Sequence, residues 1–173
     1  QLLREPNPLR CASKRCERRD PPVVFMFGGQ GTQYVNMGHN LYHDEPLFRA
    51  VVDDCCTILE PHLGRDLREL LYPRPDDEET ARAALQETLY TQPSIFIIEY
   101  ALARLWQSLG VEPTMMIGHS IGEFVAATLA GVWEVQDALR IVALRGKLMQ
   151  DLPRGAMMAV NAKADAVDKL LPA

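Results

Sequence analysis

An α/β fold with a mainly parallel sheet is predicted by three observations on the sequence. Short apolar runs rich in β-formers, VVFMF at 23–27 and TMMI at 114–117, alternate with longer segments of helical periodicity. Each run leads into a glycine-containing turn, GGQG at 28–31 and GHSIG at 118–122, as strands do before a crossover helix. The composition, 47% hydrophobic and 24% charged over 173 residues, supplies a core and excludes disordered and collagen-like classes.

The elements follow in order. VVFMF is a buried strand. At 46–60 the positions Leu47, Val51, Val52, Cys55, Ile58 and Leu59 recur at helical spacing, with Pro46 suited to a first turn. A short helical piece at 67–71 precedes a charged helix opened by Asp76, Asp77, Glu78 and Glu79, whose acids complement the helix dipole. Gln92-Pro93 opens a longer helix with an apolar stripe of Ile95, Ile98, Leu102, Leu105, Trp106 and Leu109, closed by Gly110, which assigns Trp106 to the core. A buried strand at 114–117, a turn and a helix at 123–129 ending at Gly131 come next. The helix at 136–152 carries a stripe of Ala138, Ile141, Val142, Leu148, Met149 and Leu152. MMAVN at 157–161 reads as a strand and 164–171 as a helix. No internal repeat is present.

With 18 Lys+Arg against 23 Asp+Glu the formal net charge is -5, and no basic patch interleaves with aromatics, so no nucleic-acid partner is expected. Apolar stretches such as 95–98 fall far short of the ~20 residues of a membrane span, and no membrane partner is expected either. Positive charge concentrates at 1–20, in Arg4, Arg10, Lys14, Arg15, Arg18 and Arg19. This head lacks the apolar stretch of a signal peptide and is bracketed by Pro6, Pro8, Pro21 and Pro22. It reads as a linker entering a domain, with a transit peptide as the lesser alternative. Cys11, Cys16, Cys55 and Cys56 have neither paired C-x-x-C spacing nor a second ligand pair. Free thiols in a cytoplasmic protein are therefore expected, with no disulfide framework and no metal.

Gly118-His119-Ser120-Ile121-Gly122 matches G-x-S-x-G, the nucleophile elbow, in the strand-to-helix context that the motif requires. So sharp a turn needs Gly118 and Gly122 to lack side chains. It leaves the Ser120 hydroxyl at a helix N-terminus, where the Ile121 backbone N–H can stabilise an oxyanion. The blander alternative is a glycine-flanked turn with serine as a cap. Gly28-Gly29-Gln30-Gly31 is placed to give a second oxyanion donor, the Gln30 N–H. Alone, that loop reads equally as a phosphate cradle or a plain turn, and it is neither G-x-G-x-x-G nor a Walker sequence.

Arg145 has Ile141, Val142, Leu148 and Met149 as helical neighbours and so lies within the apolar stripe. An unpaired buried cation is costly, so the guanidinium must snorkel, pair with a carboxylate of the fold, or grip a substrate carboxylate. A serine nucleophile also needs a general base, usually histidine. His39, His43 and His62 precede Ser120, and His119 adjoins it with its side chain expected to point away. No histidine follows. Either an upstream histidine is recruited, or the base lies beyond the end of the chain.

Taken together, FMFGGQGTQ, YTQPSIF, GHSIGE and ALRGKLMQ, in this order, resemble the acyltransferase family of fatty-acid and polyketide synthases, the malonyl-CoA:acyl-carrier-protein transacylases. The likeness covers nearly everything in 23–160, and its flavour is that of a modular type I polyketide synthase. There a linker from a preceding ketosynthase would resemble residues 1–20. The resemblance implies an α/β-hydrolase-like core, whose N-terminal part is 21–153, and a small ferredoxin-like subdomain starting at 154–173. It implies Ser120 as nucleophile, Gln30 and Ile121 as oxyanion donors, and Gln92 and His119 lining the substrate pocket. Arg145 would bind the free carboxylate of a dicarboxylic acyl group. Gly28 stands where the family often has proline. The family's catalytic histidine, beyond the inserted subdomain, has no counterpart, so the sequence reads as a truncated domain.

The implied reaction moves malonyl from coenzyme A onto Ser120 and then to the phosphopantetheine thiol of an acyl carrier protein, with no bound cofactor. The implied partners are that carrier protein and an adjacent ketosynthase domain or the remainder of the acyltransferase domain. Ile121, whose side chain would border the pocket that receives the acyl α-carbon, and YTQPSIF resemble malonyl-type members, whereas methylmalonyl-type members commonly carry glutamine after the nucleophile. Two competing functions remain: a serine esterase or thioesterase, for which Arg145 would have no use, and a non-catalytic half-domain that needs a complementary piece.

Overall fold

The computed structural model describes residues 21–153, 155 and 160–169. The expected linker at 1–20, Cys11, Cys16 and Met157 to Ala159 of MMAVN lie outside the described residues. Strand β1 (Val24–Phe27) is followed by the glycine loop, helix α1 (His39–Asp44), α2 (Pro46–Leu63) and α3 (Arg68–Leu71). A 3-10 turn (Pro75–Asp77) leads into α4 (Glu78–Ala84), and the long α5 (Thr88–Ser108) precedes β2 (Met115–Gly118). Then come α6 (Ile121–Leu129), α7 (Val135–Gln150) and α8 (Ala164–Asp168), the last overlapping the helix expected at 164–171. Val160 and Asn161 belong to no strand.

β1 and β2 pair in parallel, with Val24 opposite Met115 and Phe27 opposite Gly118. This register puts the carboxyl ends of both strands side by side, so GGQG and GHSIG leave the same edge of the sheet. That edge is where open parallel sheets place their ligands.

The core forms around α5, which packs against α2, α6 and α7. Ile95, Phe96, Ile97 and Ala101 are buried against Phe48, Val52 and Leu59 of α2, Val125 of α6, and Leu139 and Val142 of α7. Cys55 and Cys56 belong to this core as free thiols. Burial, reinforced by Asp54, pushes the Cys55 thiol up to about 12, so it packs as a small apolar side chain.

Three expectations about helices need correcting. α5 begins at Thr88, so Gln92 and Pro93 lie inside the helix instead of opening it. Pro93 removes the N–H that would bond the Leu89 carbonyl. The helix starts regardless, because the Thr91 hydroxyl donates to the carbonyls of Leu85 and Glu87, at 2.6 and 2.9 Å, and ties down its first turn. Trp106 is 49% exposed instead of core, because α5 turns its Ile95–Ala101 side to the other helices. α7 buries Ala138, Leu139, Val142, Ala143 and Gly146, whereas Ile141, Leu148, Met149 and Leu152 are exposed. Small residues select that face: at Gly146 the backbones of Thr88 and Leu89 come so near that an added Cβ would lie 3.0 Å from the Thr88 oxygen.

No helix among the described residues is long and apolar enough to cross a membrane. The strands, expected to be buried, are not fully so: among the described residues nothing covers one apolar side of the pair, and Val24, Met26, Met115 and Ile117 are exposed on it.

Candidate active site

β2 ends at Gly118 and α6 begins at Ile121, so the chain reverses within two residues. Ser120 at the corner takes φ 54° and ψ -110°. A residue with a Cβ rarely adopts positive φ, and such strain costs ~1–3 kcal/mol where surrounding packing enforces it. The enforcement is visible in the flanking glycines. A Cβ on Gly118 would stand 2.2 Å from the Glu123 nitrogen, and one on Gly122 2.6 Å from the carbonyl oxygens of Phe27 and Gly28. Strand, elbow and helix thus interlock at backbone contact. The His119 N–H adds a bond to the Phe27 carbonyl at 3.0 Å. Ser120 is left exposed at the N-terminus of α6.

The Arg145 guanidinium reaches this hydroxyl. Its Nη2 donates to Ser120 Oγ at 3.1 Å and its Nη1 to Gln92 Oε1 at 2.5 Å, while the Phe124 ring lies beneath at 5.6 Å from its centroid. Gln92, only 1% exposed, donates from Nε2 to the Met149 sulfur at 3.3 Å and is thereby oriented toward Arg145. The sequence placed Arg145 within a buried stripe. Because the buried face of α7 is turned away, it stands instead at that face's edge, half-buried beside the elbow. Among the described residues Arg145 pairs with no carboxylate, so the alternative of an ion pair within the fold finds no partner. Its three contacts are neutral, and the positive charge remains available to an anion.

Beside the elbow lies the first glycine loop. The backbone N–H groups of Gln30 and Ile121 have no acceptor among the described residues. At a helix N-terminus and an adjoining turn, such groups suit a developing oxyanion. The Gln30 side chain donates to the Thr88 hydroxyl at 3.3 Å, and Thr32 Oγ1 donates to the Gly29 carbonyl at 3.0 Å. The Ile121 side chain, expected to border the acyl pocket, is instead fully buried in the core and presents no surface to a ligand, because the first turn of α6 packs inward.

The histidines are not joined to the serine hydroxyl. The His119 ring lies over the first loop, its Nδ1 2.4 Å from where a Gly29 Cβ would be. His39 and His43 pack on each other with ring centroids 4.5 Å apart, and His39 also meets Tyr72. His62 sits in the last turn of α2. Among the described residues, Ser120 Oγ has Arg145 as its hydrogen-bond partner.

Two groups beside the site are not indicated by the sequence motifs, Glu99 and Phe124. Glu99 lies on α5 within the apolar run IFIIEYALA, and its Oε1 accepts from the Gly28 N–H at 2.6 Å. Burial pushes its carboxyl up to about 7, with the Gly28 N–H pulling the other way. A lone acid in an apolar helical run was the available signal. For Phe124 the signal was its position four residues after Ser120, on the same helix face.

Residues 24–171 match the acyl transferase domain family. The chain is 42% identical over 146 residues to the PKS-NRPS hybrid synthetase ATPKS of Aspergillus niger, covering 84% of this chain and 8% of that protein. It is 42% identical over 153 residues to the spectinabilin polyketide synthase system protein NorB of Streptomyces orinoci, covering 87% and 7%. In structure it resembles the acyl transferase domain of ZmaA, with TM-score 0.80 and 40% identity over 88% of this chain and 35% of that one. It also resembles the malonyl CoA-acyl carrier protein transacylase from Clostridium perfringens, with TM-score 0.67 and 28% identity over 87% and 46%. The chain therefore spans less than a tenth of these two synthases and under half of these solved chains.

Proposed function

Because the chain belongs to the acyl transferase domain family, we propose that it carries the nucleophile of a transferase that moves malonyl from coenzyme A to the phosphopantetheine thiol of an acyl carrier protein. The observation that carries this reading is the Arg145 guanidinium beside Ser120, held by Gln92 and matched to no carboxylate among the described residues. The free carboxylate of a malonyl group would neutralise it bidentately and hold the acyl group beside the nucleophile. An esterase of neutral acyl groups has no use for that cation.

The chemistry follows from the placement of each group. Ser120 Oγ attacks the thioester carbonyl while its proton passes to a general base. The tetrahedral oxyanion accepts from the N–H groups of Gln30 and Ile121. The C–S bond then breaks, and coenzyme A leaves as the thiol with the proton from the base. Attack by the phosphopantetheine thiol on the Ser120 ester reverses these steps and returns the proton to the hydroxyl. None of His39, His43, His62 and His119 is hydrogen-bonded to Ser120, and the reading takes another group as its base. It needs no metal or bound cofactor.

The finer parts of the reading are a polyketide synthase setting, an adjacent ketosynthase domain as neighbour, a cytoplasmic location suited to free thiols, and malonyl preferred over methylmalonyl. Intact mass spectrometry after mixing the native polypeptide with malonyl-CoA tests the core of it. One malonyl adduct on the peptide bearing Ser120 is expected, and its absence overturns the proposal.

One observation favours a second, compatible reading, in which the chain works only when packed against a complementary layer. Met26 is 78% exposed on the uncovered side of the two strands, beside Val24, Met115 and Ile117. Sheets of parallel strands are ordinarily covered on both faces. Strong binding of a hydrophobic dye by the isolated 173 residues, reduced in Met26→Lys, would support this reading, and no binding would remove it.

A further inference from the structure

We infer that Glu99 is a positioning residue, a half-buried carboxyl that anchors the first oxyanion loop and so sets where the Gln30 N–H stands relative to Ser120. The inference rests on the proposed nucleophilic role of Ser120 and goes beyond it.

The contact itself is specific. Glu99 Oε1 accepts the Gly28 N–H at 2.6 Å across 71 positions of sequence. A Cβ on residue 28 would stand 3.3 Å from that same oxygen, so glycine permits the close approach. Gly28 is the first residue after β1 and lies two before Gln30. On its other side the loop meets the elbow, where Gly29 abuts His119. The loop is thus clamped between a carboxyl from α5 and the backbone that presents the nucleophile.

Glu99 and Gln92 are seven residues apart and therefore share a face of α5, ~10 Å apart along its axis. One rigid helix supports both halves of the site: Gln92 orients Arg145, and Glu99 orients the loop.

A structural account alone leaves the residue unexplained. Oε2 of Glu99 is buried without a hydrogen-bond partner. The two cavities that flank the side chain are lined by groups such as Phe27, Leu41, Phe48 and Trp106. No charged group of β1, α1 or α2 lines these cavities, and Tyr34 of the loop region is the other ionisable residue that does. His119 lies across the loop. A carboxyl kept in such surroundings is costly, and the contact it makes in return is the one to the loop.

The test uses the native polypeptide and a fluorophosphonate probe, which labels an activated serine and needs no malonyl carboxylate, with malonyl-CoA acylation run in parallel. Glu99→Leu is expected to slow Ser120 labelling and acylation ~10- to 100-fold with the KM for malonyl-CoA unchanged, as a displaced oxyanion donor does. Glu99→Gln, which keeps an acceptor for Gly28, is expected to recover most of the rate. The wild-type to Glu99→Gln rate ratio should rise with pH through about 7, because the ionised carboxyl is the stronger acceptor. Unchanged labelling in Glu99→Leu, no recovery in Glu99→Gln, or a flat ratio overturns the inference. Wild-type protein that takes the probe but not malonyl defeats the malonyl proposal and leaves the Glu99 comparison intact. Wild-type protein that takes neither defeats both.

Discussion

Arg145 donates a hydrogen bond to the Ser120 hydroxyl at 3.1 Å although the two are 25 positions apart and on different helices, α7 and the start of α6. A cation is thereby fixed at the nucleophile, and its other donors meet no acceptor among the described residues. The first prediction concerns the cation. Arg145→Ala is expected to lower kcat/KM for malonyl-CoA by ~10- to 100-fold, the value of a hydrogen bond to a charged group, and to leave acetyl transfer nearly unchanged. Steady-state kinetics with both thioesters check it, and equal losses would make Arg145 a structural residue.

Ser120→Ala should abolish the covalent malonyl adduct, because the attacking oxygen is removed. The fold should persist, since the hydroxyl is exposed and caps nothing. Intact mass together with circular dichroism separates loss of chemistry from loss of structure. An adduct on the folded variant defeats the assignment.

Gly122→Ala tests the interlock of the elbow. The new Cβ would press on the Phe27 and Gly28 carbonyls at 2.6 Å, and neither can yield without moving β1. A destabilisation of ~1–3 kcal/mol or more is expected from such overpacking, read as a lower denaturation midpoint. A midpoint equal to that of the wild type would show the elbow to be looser than described.

The Glu99 carboxyl gives the stability a pH dependence. Burial raises it from 4.5 to about 7, so between those values the folded chain keeps a proton that the unfolded chain has released. Stability from this group therefore falls as pH rises through that window. Glu99→Gln cannot titrate, and its denaturation midpoint relative to wild type should shift in the variant's favour from pH 4.5 to pH 8. A constant difference would refute the shift.

Malonyl-CoA should outcompete methylmalonyl-CoA, with a kcat/KM ratio above one. The expectation rests on Ile121, whose side chain is wholly buried, so its influence on the acyl group must pass through packing. One methyl in an apolar pocket is worth ~1–3 kcal/mol, which makes the preference a bias. Competition of the two thioesters measures it.

Much of this arrangement was legible in the sequence by itself. VVFMF-GGQG and TMMI-GHSIG were readable as strand and turn, and G-x-S-x-G as an elbow, because the constraint is local. A turn this tight admits glycine at Gly118 and Gly122 and little else, whatever surrounds it. Pro46 and Gly110 marked a helix start and a helix end for the same short-range reason.

Tertiary structure decided what local pattern left undetermined. α7 has apolar residues on most of its circumference, so periodicity alone chose the wrong stripe, and the small residues that let α5 and α7 approach set the buried face at Ala138, Val142 and Gly146. That rotation moved Arg145 from an expected core position to the elbow. α5 likewise began four residues before Gln92, held by the Thr91 hydroxyl, and so placed Gln92 under Arg145 and Glu99 under Gly28. Backbone sterics act within a few residues and are written in the sequence, whereas helix rotation depends on which neighbours pack closest, and that is settled only when the whole core assembles.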